Sequence, residues 1–224
     1  MYHHIDLQLP SDGSRELTVS PRTFAWQLQY LQNNGFRVIS MGELARSLQQ
    51  RLSLRKTVVM TFDDGYADQG EYAVPLLHRM RDGATFFIVT GTVGTPGHLT
   101  WEMLRRMVRS GLDIGAHGVS HDDLSIMSDA EQQRQIFGSV ALLRRRLHAP
   151  VLSYAYPSGR LNGETLRLVR RAEVPLAVTT DPRYVLYAQT RWELTRLRVK
   201  GSWRQHDFAD ALRHALAHPR RVLL

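Results

Sequence analysis

Short apolar runs alternate along the chain with longer stretches whose apolar positions recur every three or four residues. The runs at 37–40, 57–62, 84–89, 113–116, 151–156, 176–179 and 194–199 have the length and the β-branched or aromatic content of buried strands. The periodic stretches at 21–33, 41–51, 72–81, 100–110, 129–147, 162–172 and 205–217 predict amphipathic helices. Boundary residues agree with that division. Ser20-Pro21 offers a cap followed by proline at the first helical position, and Thr100 stands before Trp101-Glu102-Met103-Leu104. Ser128 precedes Asp129 and Glu131, whose charges favour a helix N-terminus. Gly35, Gly83 and Gly111 follow helices closely, as stop signals do.

Strands that alternate with helices imply an α/β architecture with a largely parallel sheet. About seven such units favour closure into a distorted (β/α) barrel over an open sheet. The 224 residues contain no internal repeat or linker, which predicts a single domain over 1–224. In such a fold active residues gather at the C-terminal ends of the strands.

Composition narrows the chemistry. The hydrophobic fraction of 43% and charged fraction of 22% are those of an ordinary globular protein. There is no run of about 18 apolar residues of the kind that spans a bilayer. Met1-Tyr2-His3-His4 has neither the basic start nor the apolar run of a signal peptide, so placement in a periplasm or at a cell surface implies a signal or anchor already removed. With no cysteine, any metal must be held by nitrogen and oxygen. The net charge of +8 is uneven: residues 131–224 hold 17 Lys and Arg against 7 Asp and Glu, while residues 1–130 hold 12 against 14. A basic half of this kind can meet a membrane surface or an anionic polymer. No nucleic-acid-binding motif accompanies it, so no nucleic-acid partner is expected.

Two short stretches carry the chemistry. Asp63-Asp64-Gly65 closes an apolar run, and His117 and His121 follow another one. One carboxylate and two imidazoles form a facial metal site with open positions, and the spare carboxylate can accept a proton from water. The pairing predicts metal-assisted hydrolysis. Zinc is the default occupant of such a donor set, and nickel, cobalt or iron(II) fit the same ligands. Ser120, Asp122 and Asp123 are candidates to fix the imidazole tautomers.

Thr-Phe-Asp-Asp-Gly-Tyr at 61–66, followed by Ala-His-Gly-Val-Ser-His-Asp-Asp-Leu at 116–124, resembles the first two motifs of the polysaccharide deacetylase (NodB-homology) family, carbohydrate esterase family 4. The Tyr2-His3 start resembles a branch of it that includes poly-N-acetylglucosamine deacetylases. The resemblance implies removal of N-acetyl groups from an N-acetylglucosamine polysaccharide, such as an exopolysaccharide. By position Asp63 resembles the catalytic base, and Asp64, His117 and His121 the metal ligands. Tyr-Ala-Tyr-Pro-Ser-Gly-Arg at 154–160 is similar to the third motif, whose turn aims a backbone N–H at the developing oxyanion. That motif nominates Ser158, with Tyr156 beside it.

Two departures stand out. Ala155 occupies the place of an arginine that pairs with the catalytic aspartate in many members, and Ser158 that of an aromatic residue. Arg196, on the 194–199 run, is the candidate for the arginine's task. The family's usual acid, a histidine after a C-terminal strand, has no counterpart, since His206, His214 and His218 fall in or beside a helical pattern. The branch resemblance makes His3 the acid, with His4 next in line. Asp181 is a candidate neighbour of the site. Tyr66, Trp101, Trp192 and Trp203 are candidates for stacking sugar rings. The rival expectations are hydrolysis of a non-sugar amide or imide on the same metal site, and a polymer-binding domain without catalysis.

Overall fold

A computed structural model describes residues 1–8, 13–180 and 191–217. In chain order the regular elements are β1 (His4–Ile5), β2 (Thr18–Val19), α1 (Pro21–Asn33), β3 (Arg37–Ile39), α2 (Met41–Gln49), β4 (Thr57–Val59) and β5 (Thr61–Phe62). They continue with α3 (Val74–Met80), β6 (Thr85–Ile88), α4 (Trp101–Arg109), β7 (Asp113–Ala116), α5 (Asp129–Leu147), β8 (Ser153–Ala155), α6 (Gly163–Arg171), β9 (Leu176–Val178) and α7 (Gln205–Ala217). Local chemistry sets several boundaries. Ser20 Oγ accepts from Thr23 N, Thr100 Oγ1 from Met103 N, and Ser128 closes a reciprocal box with Glu131. Pro75 has no N–H to give the carbonyl four residues back, and the turn ahead of it, Gln69–Ala73, is wound as a π-helix. None of the described helices is long and apolar enough to cross a membrane.

The main sheet is parallel, in the order β5-β6-β7-β8-β9. It curls, and two extended segments bridge the gap between its edges. Tyr2 pairs with Phe62 on the β5 side, through Tyr2 N to Thr61 O and Asp63 N to Tyr2 O. The segment after Trp192 pairs with β9 at the single Val178–Leu194 bridge and reaches the N-terminal segment through Val199 N to Met1 O. The distorted α/β barrel is as expected, but among the described residues its main sheet has five regular parallel strands where the sequence predicts about seven. The 194–199 run is not a strand. Where a further ladder bond to β9 would run, Thr179 O instead accepts from the Arg196 side chain.

The 57–62 run is likewise not one strand. It bends at Met60, so that β4 pairs with β3 in a separate two-stranded sheet and β5 with β6. That bend lets α2 cross the floor of the barrel. Met41 N donates to Thr85 Oγ1 and Gly42 N to the Asp113 carboxylate, while Met41 and Leu44 pack on Phe87, Ala155 and Leu176. Gly42 is needed there, because a Cβ would stand 2.3 Å from Asp113 Oδ2.

The larger apolar core lies between the sheet and its helices. Phe62 stacks on Phe86, with ring centroids 4.6 Å apart, and meets Tyr2 and Phe24. Burying each such phenylalanine contributes about 1.5–3 kcal/mol. This packing anchors β5 and the N-terminal segment side by side, and both end at the same rim.

Candidate active site

β5 ends at Phe62, and the next three residues turn sharply. Asp64 takes φ 74° and Gly65 φ 78°, both left-handed. A Cβ on Gly65 would press on Ile88 at 2.9 Å. The reversal lets two adjacent carboxylates serve one site, although an extended strand would send them to opposite faces.

Asp63 is buried and paired with Arg196, whose two terminal nitrogens donate to Oδ1 at 2.6 Å and Oδ2 at 2.7 Å. Arg196 also donates to Thr61 Oγ1 and Thr179 O, so its guanidinium is held on three sides. Burial alone would raise the Asp63 carboxyl. Arg196 overrides that, with His117 and His3 adding to it, and holds the group well below the usual carboxylate range.

Asp64, His117 and His121 converge beside this pair, with one ligand atom from each lying within 4.8 Å of the others. Asp64 Oδ1 stands 3.4 Å from Nε2 of both histidines and is buried without a hydrogen-bond partner. His117 sits at the end of β7 and gives its Nδ1 proton to Ala155 O at 2.7 Å, which leaves Nε2 a bare lone pair. An orphaned carboxylate oxygen facing two imidazole nitrogens suits a divalent cation. Burial lowers His117, but the two carboxylates more than reverse this and leave it raised. His121 is lowered by burial and by the neighbouring His117. His121 takes φ 64°, and Gln135 of α5 pins the loop before it by accepting from Val119 N and Ser120 N.

His3 lies on the same rim. Burial lowers its imidazole, while Asp63 and Asp64 are near enough to pull it back upward. Its Nδ1 is buried without a partner. His4 points away, with Nδ1 on Asp68 Oδ2 at 2.6 Å and its ring stacked on Tyr66, centroids 3.7 Å apart. Burial and the Asp64 carboxylate raise the Tyr66 phenol, so Tyr66 borders the metal-ligand cluster.

The 154–160 segment places its residues unequally. Ser158 is exposed on the turn after β8, with φ 53°. Tyr156 differs from expectation: its side chain is buried, its hydroxyl donates to Trp192 O at 2.8 Å, and its N–H goes to Val178 O. The sheet and core absorb both of its donors, so it offers no donor to a substrate. Ser120 and Asp122 bond one another, and Asp123 bonds Ser125 and Arg160; none of them touches an imidazole. The tautomer is set instead by the Ala155 carbonyl, a backbone group that no sequence pattern marks. Trp101 and Trp192 are covered by Arg146 and by Arg170 and Arg191, so arginines occupy two of the four rings expected to stack on sugar. Asp181 and His218 lie outside the described residues.

Residues 52–177 match the family model for polysaccharide deacetylase. The Bacillus subtilis (strain 168) protein YxkH, named for the polysaccharide deacetylases, is 32% identical over 200 residues, covering 89% of this chain and 70% of its own length. The poly-beta-1,6-N-acetyl-D-glucosamine N-deacetylase of Staphylococcus aureus (strain MSSA476) is 21% identical over 206 residues, 86% of this chain and 71% of that protein. Among solved structures, Streptococcus pyogenes deacetylase PplD in complex with acetate superposes with a TM-score of 0.84 at 29% identity, covering 94% of this chain and 95% of that one.

Proposed function

The chain belongs to the polysaccharide deacetylase family, and from that premise we propose that it hydrolyses the acetamide of N-acetylglucosamine units in a polysaccharide, with Asp63 as base and His3 as acid. The observation that carries this reading is the Asp63–Arg196 pair lying against the Asp64, His117 and His121 cluster. Ionised by its arginine, Asp63 stays deprotonated at neutral pH and is available to accept a proton. A divalent metal fits Asp64, His117 and His121, zinc being the first candidate. When bound, such an ion supplies Lewis acidity, which polarises the acetamide carbonyl and acidifies water.

The chain's own groups do the rest. Arg196 fixes the direction of the Asp63 lone pairs, and Asp63 takes a proton as water oxygen bonds to the carbonyl carbon. The left-handed turn at Ser158 presents backbone N–H to the oxygen on which negative charge develops. As the C–N bond breaks, His3 gives its proton to the departing nitrogen, leaving acetate and a glucosamine unit.

The substrate class follows the relative from Staphylococcus aureus, whose name states a poly-N-acetylglucosamine. Such a polymer is met outside the cytoplasm, which is where this reading puts the enzyme. The test is acetate release from N-acetylglucosamine oligomers, chitin fragments and peptidoglycan, with chelator and then with zinc, cobalt or nickel restored. Release from the oligomers that stops with chelator and returns with metal is expected, and Asp63→Asn should bind metal without turnover. No release from any of these substrates with metal restored, or release that persists with chelator, would overturn the reading.

A further inference from the structure

His3 and Asp63 come from distant parts of the chain, yet one side chain holds both. Gln69 is fully buried on the π-helical turn Gln69–Ala73. Its Nε2 donates to His3 O at 2.8 Å and to Asp63 O at 2.6 Å. Both amide hydrogens are thus spent on the backbone of the two residues assigned to proton transfer. The orientation of the amide is settled by its partners, since an oxygen facing two carbonyl oxygens would be repelled. Its own Oε1 is buried with no hydrogen-bond partner, so the side chain's hydrogen bonds run only to the backbone of His3 and Asp63. An apolar side chain of equal length would leave both carbonyls without this donor, so the role in alignment has to be read from the substrate dependence of the rate and not from stability.

Neighbouring groups sharpen the point. Asp68 accepts from Ile5 N at 2.9 Å and from His4 Nδ1, so the two-residue turn grips three consecutive residues of the N-terminal segment. The His3 imidazole has an unpartnered Nδ1, and its backbone is what positions it. The segment is also tied to β5 by the Tyr2–Phe62 bridge and the stacking of those two rings, and to β2 by its own pairing.

We infer that Gln69 is a positioning residue that sets the separation of His3 from Asp63, and so aligns the proton delivered to the leaving nitrogen with the proton taken from water. The inference rests on the assignment of His3 as acid and Asp63 as base. A group displaced by about 1 Å from its reacting partner can lose on the order of 100-fold in rate. The loss should fall only on reactions that need the acid. An acetamide cannot expel its nitrogen without a proton, whereas 4-nitrophenyl acetate releases a stable phenolate unaided.

The experiment compares these two substrates on the metal-loaded enzyme, using Gln69→Met, Gln69→Asn and His3→Ala. Gln69→Met should lower kcat on an N-acetylglucosamine oligomer about 10- to 100-fold, with KM and the ester rate within about twofold. Gln69→Asn keeps the amide but shortens its reach, and should show a smaller loss with the same selectivity. It carries the test if the methionine variant does not fold. His3→Ala should show the amide-selective loss in full. If His3→Ala shows that loss but the Gln69 variants slow both substrates equally, or neither, the positioning role is overturned and the acid assignment stands. If His3→Ala leaves the amide rate unchanged, the acid assignment fails and this inference fails with it.

Discussion

Replacing Arg196 by methionine removes one member of a pair whose side chains are 6% and 2% exposed, so water cannot take the lost partner's place. Breaking a buried pair from one side costs about 3–5 kcal/mol, because the remaining charge is left uncompensated. Two terms oppose each other within that range. His117 and His3 still lie near Asp63 and soften the loss, while Thr61 Oγ1 and Thr179 O lose a donor and deepen it. We expect about 4 kcal/mol, equal to a fall in Tm of roughly 8–16 °C for a domain of this size. Asp63→Asn leaves Arg196 buried and unpaired and should cost about 3 kcal/mol. The double variant buries no charge, so its loss should fall short of the sum of the singles by about 2–3 kcal/mol. Urea unfolding with chelator present measures all four corners of the cycle free of any stabilisation by bound metal. A coupling below about 0.5 kcal/mol would refute the reasoning, because independent sites add within that margin.

Three further outcomes are expected. Burial pushes the Asp82 carboxyl up to about 6, and its Oδ2 has no partner. Its contribution is therefore complete below the unfolded value of 3.8 and lost as pH rises through about 6. Asp82→Asn should match the parent in thermal melts near pH 4 and exceed it near pH 8 by about 1 kcal/mol, after discounting for the partly exposed site; an equal gain at both pH values would sink this account. Tyr154→Phe removes a buried hydroxyl that lacks a partner and should leave urea stability unchanged or up to about 1 kcal/mol higher, a clear loss being the contrary result. Tyr156→Phe should cost about 1 kcal/mol through the lost bond to Trp192 O while kcat holds, and a tenfold fall in kcat would return the phenol to the substrate's path.

The sequence makes legible what is local. Asp63-Asp64-Gly65 and His117 to His121 are read from adjacent residues, and the structure brings their side chains together at the ends of β5 and β7. The helices at 21–33 and 129–147 have the bounds their periodicity predicts, because capping and amphipathic burial are also short-range. What escapes is non-local or belongs to the backbone. Nothing near Met60 announces that a continuous apolar run will divide between two sheets, since the division depends on α2 crossing beneath the barrel. Arg196 is nominated only through a vacancy at Ala155, and its two bonds to Asp63 join the two ends of the fold. The Ala155 carbonyl and the Gln69 amide carry no sequence signal at all. Tyr156 misleads for the opposite reason: it lies in a chemically suggestive turn, but its phenol is consumed in packing.

The ends of β5, β7 and β8 share one physical device. Each turns through residues in the left-handed region: Asp64 with Gly65 after β5, Gly118 and His121 after β7, and Ser158 with Gly159 after β8. For a residue with a side chain this conformation costs on the order of 1–2 kcal/mol, so Asp64, His121 and Ser158 together store roughly 3–6 kcal/mol. Glycine takes the neighbouring positions without that cost, and at Gly159 the space forbids anything else, since a Cβ would meet Thr180 Oγ1. The strain has a geometric return. An extended continuation of β5 would send Asp63 and Asp64 to opposite faces, one inside the barrel and one outside. Reversal at Asp64 keeps Asp63 on its buried arginine while swinging the next carboxylate toward His117 and His121. The glycines in these motifs let the chain leave a rigid strand within one residue, so that the carboxylates after β5 and the imidazoles after β7 converge.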